Sequence, residues 1–130
     1  MPRFLMEPGR SIVADAGMTL YTVGSVKRIP GYKQYAAVDG GMTDNPRYAL
    51  YQSRYTVYHA HKSGSMERFD VVGRCCESGD IIQPGVELPG DTCRGDILAV
   101  CTTGAYNYSM ASNYNRLPVS YTHLTLPTIR

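Results

Sequence analysis

Cys76 and Glu77 stand side by side in GRCCESGD (73–80), a thiol next to a carboxylate in a run that ends on Ser-Gly-Asp. If the run forms a loop, both side chains can point into one cleft. A thiol whose pKa is tuned toward neutrality can serve as a general acid. The plainer alternative is a small buried residue beside a solvated glutamate, and Cys75 is read as packing. In EPGR (7–10), Gly9 allows close backbone approach and free amides at a helix start favour a phosphate. Arg10 adds a rigid fork for phosphate or carboxylate; the alternative is an ordinary turn carrying Glu7 into solvent. In DGGMTDNPRYALY (39–51), Arg47 and Tyr51 share a face if the segment is a strand, and can then converge on one anionic group. Otherwise they are an exposed arginine and a packed tyrosine. Tyr106, after a Gly-Ala turn in GAYNYSMASNYN (104–115), carries a hydroxyl able to reach a phosphate. His59 and His61 would share a strand face, but no third metal ligand lies nearby, so both are expected to face solvent.

The elements that must position these groups are mostly strands. PRFLMEPGR (2–10) reads as a short apolar strand entering a turn, since the residue before Pro8 is pushed toward an extended conformation. Beyond Gly9, the apolar positions Ile12, Val13, Ala16 and Leu20 are compatible with about three helical turns, with Gly24 as the exit. From there the runs KQYAAVDGG, ALYQSRYTVYHAH, RFDVVGRCC, DIIQPGVEL and DILAVCTTG are short, β-rich and punctuated by Gly, Pro, Asp and Asn. A mainly β fold is predicted between Ser25 and Gly104, a mostly antiparallel sheet closed into a barrel or sandwich. The segment 105–115 is too long for a tight turn and has room for a short helix.

Length and composition narrow the function classes. The 130 residues fit one domain. Thirteen basic against 11 acidic residues leave a net charge of +2, no footprint for nucleic acid or an anionic membrane. No apolar run is long enough to span a bilayer, and the opening residues are too polar for a signal peptide, so the chain reads as soluble and cytoplasmic. The four cysteines form no CxxC pair, and reduced thiols are expected in that compartment. Cys93 and Cys101 read as small, half-buried strand residues. The 11 tyrosines, against two Phe and no Trp, suit strands and wet concave sites.

Taken together, EPGR, DGGMTDNPRYALY, GRCCESGD and GAYNYSMASNYN, in this order and at these separations, resemble the C-terminal part of the fold-type III pyridoxal-phosphate decarboxylases. EPGR is shared with ornithine and arginine decarboxylases, whereas the Cys-Glu-Ser-Gly-Asp run points to the diaminopimelate branch. The resemblance runs from about Met1 to Pro118. The threonine-rich VSYTHLTLPTIR (119–130) has no negative charge and continues no upstream pattern. It resembles translated sequencing-adapter read-through and is expected to be a non-native tail.

The resemblance implies a C-terminal β domain over 25–118. Residues 1–24 would be the last strand and crossover helix of a (β/α)8 barrel that is otherwise absent, making Met1 an internal residue or a false start. It implies pyridoxal 5'-phosphate as cofactor, held in part by Glu7 at the pyridinium nitrogen, Gly9 and Arg10 at the EPGR turn, and Tyr106. Arg10, Arg47 and Tyr51 would hold a substrate carboxylate, with Tyr106 also touching substrate. Cys76 would be the proton donor, and Glu77 would contact substrate. It also implies a homodimer in which Cys76 and Glu77 reach the neighbouring subunit's active site.

None of Lys27, Lys33 and Lys62 lies in a context resembling the Schiff-base lysine, so the chain alone is expected to be inactive. The implied reaction is decarboxylation of meso-2,6-diaminopimelate to L-lysine and CO2. The substrate's distal carboxylate and ammonium suit two arginines with a tyrosine, and a glutamate, respectively. The alternatives are a decarboxylase of another basic amino acid and a stand-alone β-barrel binding module.

Overall fold

The computed structural model describes residues 2–118; the tail at 119–130 lies outside the described residues. Six strands, β1 (Met18–Ile29), β2 (Lys33–Val38), β3 (Val57–His59), β4 (Met66–Val72), β5 (Ile81–Pro89) and β6 (Ile97–Cys101), form one sheet in the order β3-β6-β1-β2-β4-β5. All neighbours are antiparallel except β2 and β4. The edge strands β3 and β5 also touch, so the sheet curls into a nearly closed barrel. This is the mainly β fold expected from the short β-rich runs.

Alternation along the strands fills the interior. Tyr21 and Val23 of β1, Ala36 and Val38 of β2, and Leu98 and Val100 of β6 point inward and are buried. Phe69, Val71, Ile82 and Leu88 complete the core without measurable exposure. Each of the larger side chains contributes about 1.5–3 kcal/mol by leaving water. The β1–β2 hairpin closes through Pro30-Gly31, with the Tyr32 amide donating to the Ile29 carbonyl at 3.0 Å and Gly31 at φ 72°, the signature of a type II turn.

Several local expectations change. Residues 2–9 form no strand, and Phe4, Leu5 and Met6 are at least 83% exposed, because no described neighbour pairs with them. The helix after Gly9 is present but short: α1 (Arg10–Val13) passes into a 3-10 turn (Ala14–Ala16). Met18–Thr22 then pair with β6, from Met18 opposite Cys101 to Thr22 opposite Ile97. A cooperative ladder outweighs the weak helix propensity of so short a segment. Gly24 is therefore no helix exit. It sits at the register shift between Val23 and Ser25, where β1 passes from β6 to β2.

The histidines do not share a face either. His59 ends β3 with a side chain only 2% exposed, whereas His61 lies beyond the strand. His59 Nδ1 accepts from the amides of His61 and Lys62, and its Nε2 lies 3.1 Å from Asp96 Oδ2. Cys93 is likewise no strand residue: it is exposed in the turn before β6, with its amide donating to Asp96. Cys101 is half-buried in β6 as expected.

Candidate functional site

The segment just past β6 meets two arginines, Arg10 at Thr102 and Arg47 at Tyr106. Arg10 opens α1 directly after Gly9, and its guanidinium lies over the Tyr55 ring, 5.4 Å from the centroid. Its Nη2 donates to the Thr102 carbonyl at 3.2 Å, while Nη1 is buried without a partner. Arg47 and Tyr51 lie on a second helix, α2 (Arg47–Tyr51), and not on a strand. Pro46 stands at its N-cap, and Ala49 and Leu50 favour helix. The i, i+4 spacing puts both residues on one face here too, so the convergence survives the change of element. The Arg47 guanidinium lies over the Tyr51 ring and over the Tyr106 ring, 5.1 Å from each centroid. Its Nη1 reaches Met110 Sδ at 3.7 Å, and its Nε is buried and unpartnered. Arg10 Nη1 and Arg47 Nε are therefore two buried donors without acceptors. Neither arginine forms an ion pair with an acid among the described residues. Such cations are costly unless an anion completes them.

Tyr106 joins the two arginines. A Cβ on Gly9 would run into the Tyr106 hydroxyl, so glycine lets the EPGR turn come this close without displacing that ring. Tyr106 and Thr102 both adopt left-handed backbone conformations, φ 71° and 63°. For β-branched Thr102 that conformation costs about 1–3 kcal/mol, and it aims the Thr102 carbonyl at Arg10. Tyr106 also borders a cleft of about 410 Å³ with Gly17, Thr19, Asp44, Thr103 and Asn107. That cleft holds neither arginine, so the charged chemistry sits beside it.

The Cys-Glu loop is built on Asp80. This carboxylate, 3% exposed, accepts the amides of Met42 at 2.6 Å and Cys75 at 2.7 Å. A Cβ on Gly41 or Gly73 would strike it, which accounts for a glycine in each loop. The Arg74 amide donates to the Gly40 carbonyl, and the Ser112 amide to the Thr43 carbonyl, latching three site loops together. Asp44 accepts from the Gly41 amide and from the Tyr21 hydroxyl. Burial pushes the Asp44 carboxyl up, and burial beside Asp44 pushes the Tyr21 hydroxyl up.

Within this frame the two cysteines part company. Cys75 is half-buried, and burial with Asp80 beside it raises its thiol, so it stays protonated at neutral pH. Cys76 is exposed. Glu77 is exposed as well, and the Gly79 amide and Ser78 hydroxyl hold its carboxyl below the usual range. Among the described residues no bond joins Cys76 or Glu77 to the arginine cluster. Glu7 is exposed and makes no hydrogen bond or ion pair there. Arg10, Arg47, Tyr51, Tyr106 and Gly9 thus form one cluster, while Cys76 and Glu77 face outward on a separate, braced loop.

Sequence reasoning missed Asp80, Tyr55 and Thr102. Asp80 left a trace in the Ser-Gly-Asp turn, whereas Tyr55 was one tyrosine among 11.

Residues 11–104 match the family model described as the pyridoxal-dependent decarboxylase, C-terminal sheet domain. The chain is 54% identical over 120 residues to the diaminopimelate decarboxylase of Bacillus subtilis, a match covering 91% of this chain and 27% of that protein. It is 39% identical over 123 residues to the diaminopimelate decarboxylase of Mycobacterium leprae, covering 90% and 26%. The solved diaminopimelate decarboxylase of Helicobacter pylori, complexed with L-lysine, superimposes with a TM-score of 0.76 at 39% identity, covering 84% of this chain and 26% of that one. A lysine/ornithine decarboxylase of Vibrio vulnificus complexed with cadaverine gives 0.74 at 26% identity, covering 84% and 30%. The chain spans about a quarter of the length of the relatives it matches.

Proposed function

Since the chain belongs to the pyridoxal-dependent decarboxylases, through their C-terminal sheet domain, we propose that it is the substrate-reading part of a diaminopimelate decarboxylase. The reaction is loss of CO2 from meso-2,6-diaminopimelate to give L-lysine. The observation that carries this reading is the pair of uncompensated arginines, Arg10 and Arg47, set among Tyr51 and Tyr106. A substrate with a second carboxylate completes them. A substrate ending only in an ammonium would leave two buried cations unpaired.

The residues present also fit an anionic, phosphorylated pyridoxal group. The turn at Gly9 brings the backbone close to the Tyr106 hydroxyl, and the Arg10 guanidinium, with five N–H donors, follows it directly. Gly9, Arg10 and Tyr106 would hold that group, and Glu7 would pair with its ring nitrogen. Bound there, it would supply the electron sink for loss of CO2. The chain's own residues do the rest. Arg10, Arg47 and Tyr51 orient the distal carboxylate, and Glu77 takes the distal ammonium. Cys76 gives its thiol proton to the carbon that has lost its carboxylate, so the C–C bond electrons end in a C–H bond. The outward placement of Cys76 and Glu77 suits delivery into a second subunit's site, in a homodimer.

The test is turnover by the full-length enzyme that contains these residues. Stoichiometric lysine and CO2 from meso-diaminopimelate, with little turnover of ornithine, is the expected result. Ornithine processed equally well would favour a decarboxylase of another basic amino acid. No turnover of either, with the full-length protein folded, would favour a binding module.

A further inference from the structure

Arg10 has two protein neighbours, and neither of them takes Nη1. The Tyr55 ring lies under its guanidinium, the Thr102 carbonyl takes Nη2, and Nη1 points to no protein acceptor. Tyr55 is itself 6% exposed and fixed at both ends. Its amide donates to Gln83 Oε1 at 2.7 Å inside the barrel, and its hydroxyl reaches Asn107 Oδ1 at 3.4 Å. Gln83, 4% exposed on β5, is held in turn by donating Nε2 to the Pro84 carbonyl at 3.0 Å. Tyr55 thus ties the Arg10 fork to the sheet.

From this we infer that Tyr55 is a positioning residue for Arg10: its ring holds the guanidinium in place so that Nη1 is presented to an anionic group of the substrate. A flat guanidinium over an aromatic face keeps its charge and its in-plane donors while losing its freedom to swing. An arginine has many rotamers to lose on binding, so holding it beforehand lowers the cost of binding a carboxylate. Tyr55 never touches the substrate and acts only through Arg10. The inference rests on the reading of Arg10 as a carboxylate-binding residue and adds what makes it effective.

The test uses the full-length, cofactor-loaded enzyme and the variants Tyr55→Phe, Tyr55→Leu, Arg10→Ala and Arg10→Ala/Tyr55→Leu. Tyr55→Leu is expected to raise KM for meso-diaminopimelate about tenfold, with kcat changed by less than about twofold. Tyr55→Phe keeps the ring and should stay within about twofold of the parent. On the Arg10→Ala background Tyr55→Leu should add nothing further, because coupled residues are not additive. A full further rise on that background, or a Phe variant as poor as the Leu variant, overturns the inference.

A second readout does not depend on what Arg10 binds. Phenylglyoxal labelling of Arg10, followed by peptide mass spectrometry, should speed up several-fold in Tyr55→Leu and not in Tyr55→Phe. An unchanged labelling rate sinks the positioning role. Arg10→Ala with a parental KM sinks only the carboxylate reading and leaves the positioning role to the labelling result. If Tyr55→Leu does not fold, Tyr55→Met fills more of the ring's volume and is judged by the same outcomes.

Discussion

Two adjacent cysteines with opposite surroundings make the sharpest single-residue contrast in the molecule. Cys75 is half-buried beside Asp80, which keeps its thiol protonated, whereas Cys76 stands in solvent. Alkylation at pH 8 should therefore modify Cys76 at least about tenfold faster than Cys75. Equal rates would mean that the loop is not braced as described. In the full-length enzyme, Cys76→Ala is expected to cut kcat by about 100-fold or more with a small change in KM, while Cys75→Ala stays mild. Equal losses in the two would remove the proton-donor assignment. Arg47→Ala should raise KM for diaminopimelate by about 10–100-fold, and Arg47→Lys should recover little of it, since an ammonium cannot reproduce a planar fork held over two rings. An unchanged KM in Arg47→Ala would move the carboxylate elsewhere.

At the scale of elements, the site depends on loops under tension and on a buried acid. Thr102 holds a left-handed backbone, φ 63°, to present its carbonyl to Arg10. Thr102→Gly relieves that strain and should stabilise the fold by about 1 kcal/mol, read as a rise of a few degrees in melting temperature. A lowered melting temperature would show that no strain is stored there. Asp80 has the opposite character. Asp80→Ala strands the amides of Met42 and Cys75 and should cost about 3 kcal/mol. Its clearest mark would be faster hydrogen exchange confined to the 39–46 and 73–80 loops. Loops as well protected as in the parent would count against the role given to Asp80.

Across the whole molecule, a nearly closed barrel places the arginine cluster against the segment just past β6 and braces the Cys-Glu loop outside it. The loop after β3 and the loop before β6 share an electrostatic lock. Burial would push the Asp96 carboxyl up, but the Lys62 ammonium, the Cys93 amide and His59 together pull it well below the usual carboxylate range. The folded carboxyl titrates below its unfolded value of about 3.9, so its contribution is fully present above that pH and drains away as pH falls. Asp96→Asn should therefore melt earlier than the parent at pH 7, with the gap closing toward pH 2. A gap of the same size at both values would mean that charge plays no part.

The residue types, their order and their spacing were sufficient to identify the family. Arg47 and Tyr51 at i, i+4 converge on a helix as they would on a strand, so the right pair emerges even from the wrong element. Inward alternation in β1, β2 and β6, and the Pro30-Gly31 turn, follow from local rules that need no partner. What lay beyond the sequence was everything set by residues far apart along the chain. The helix after Gly9 is cut short because Met18–Thr22 find β6, and His59 is buried because Asp96 closes the turn against it. Gly9 is needed because Tyr106 arrives there, and Tyr55 matters because Arg10 lands on its ring. Local propensities differ by tenths of a kcal/mol, whereas a paired strand or a buried charge is worth whole ones, so the tertiary contact decides wherever the two compete.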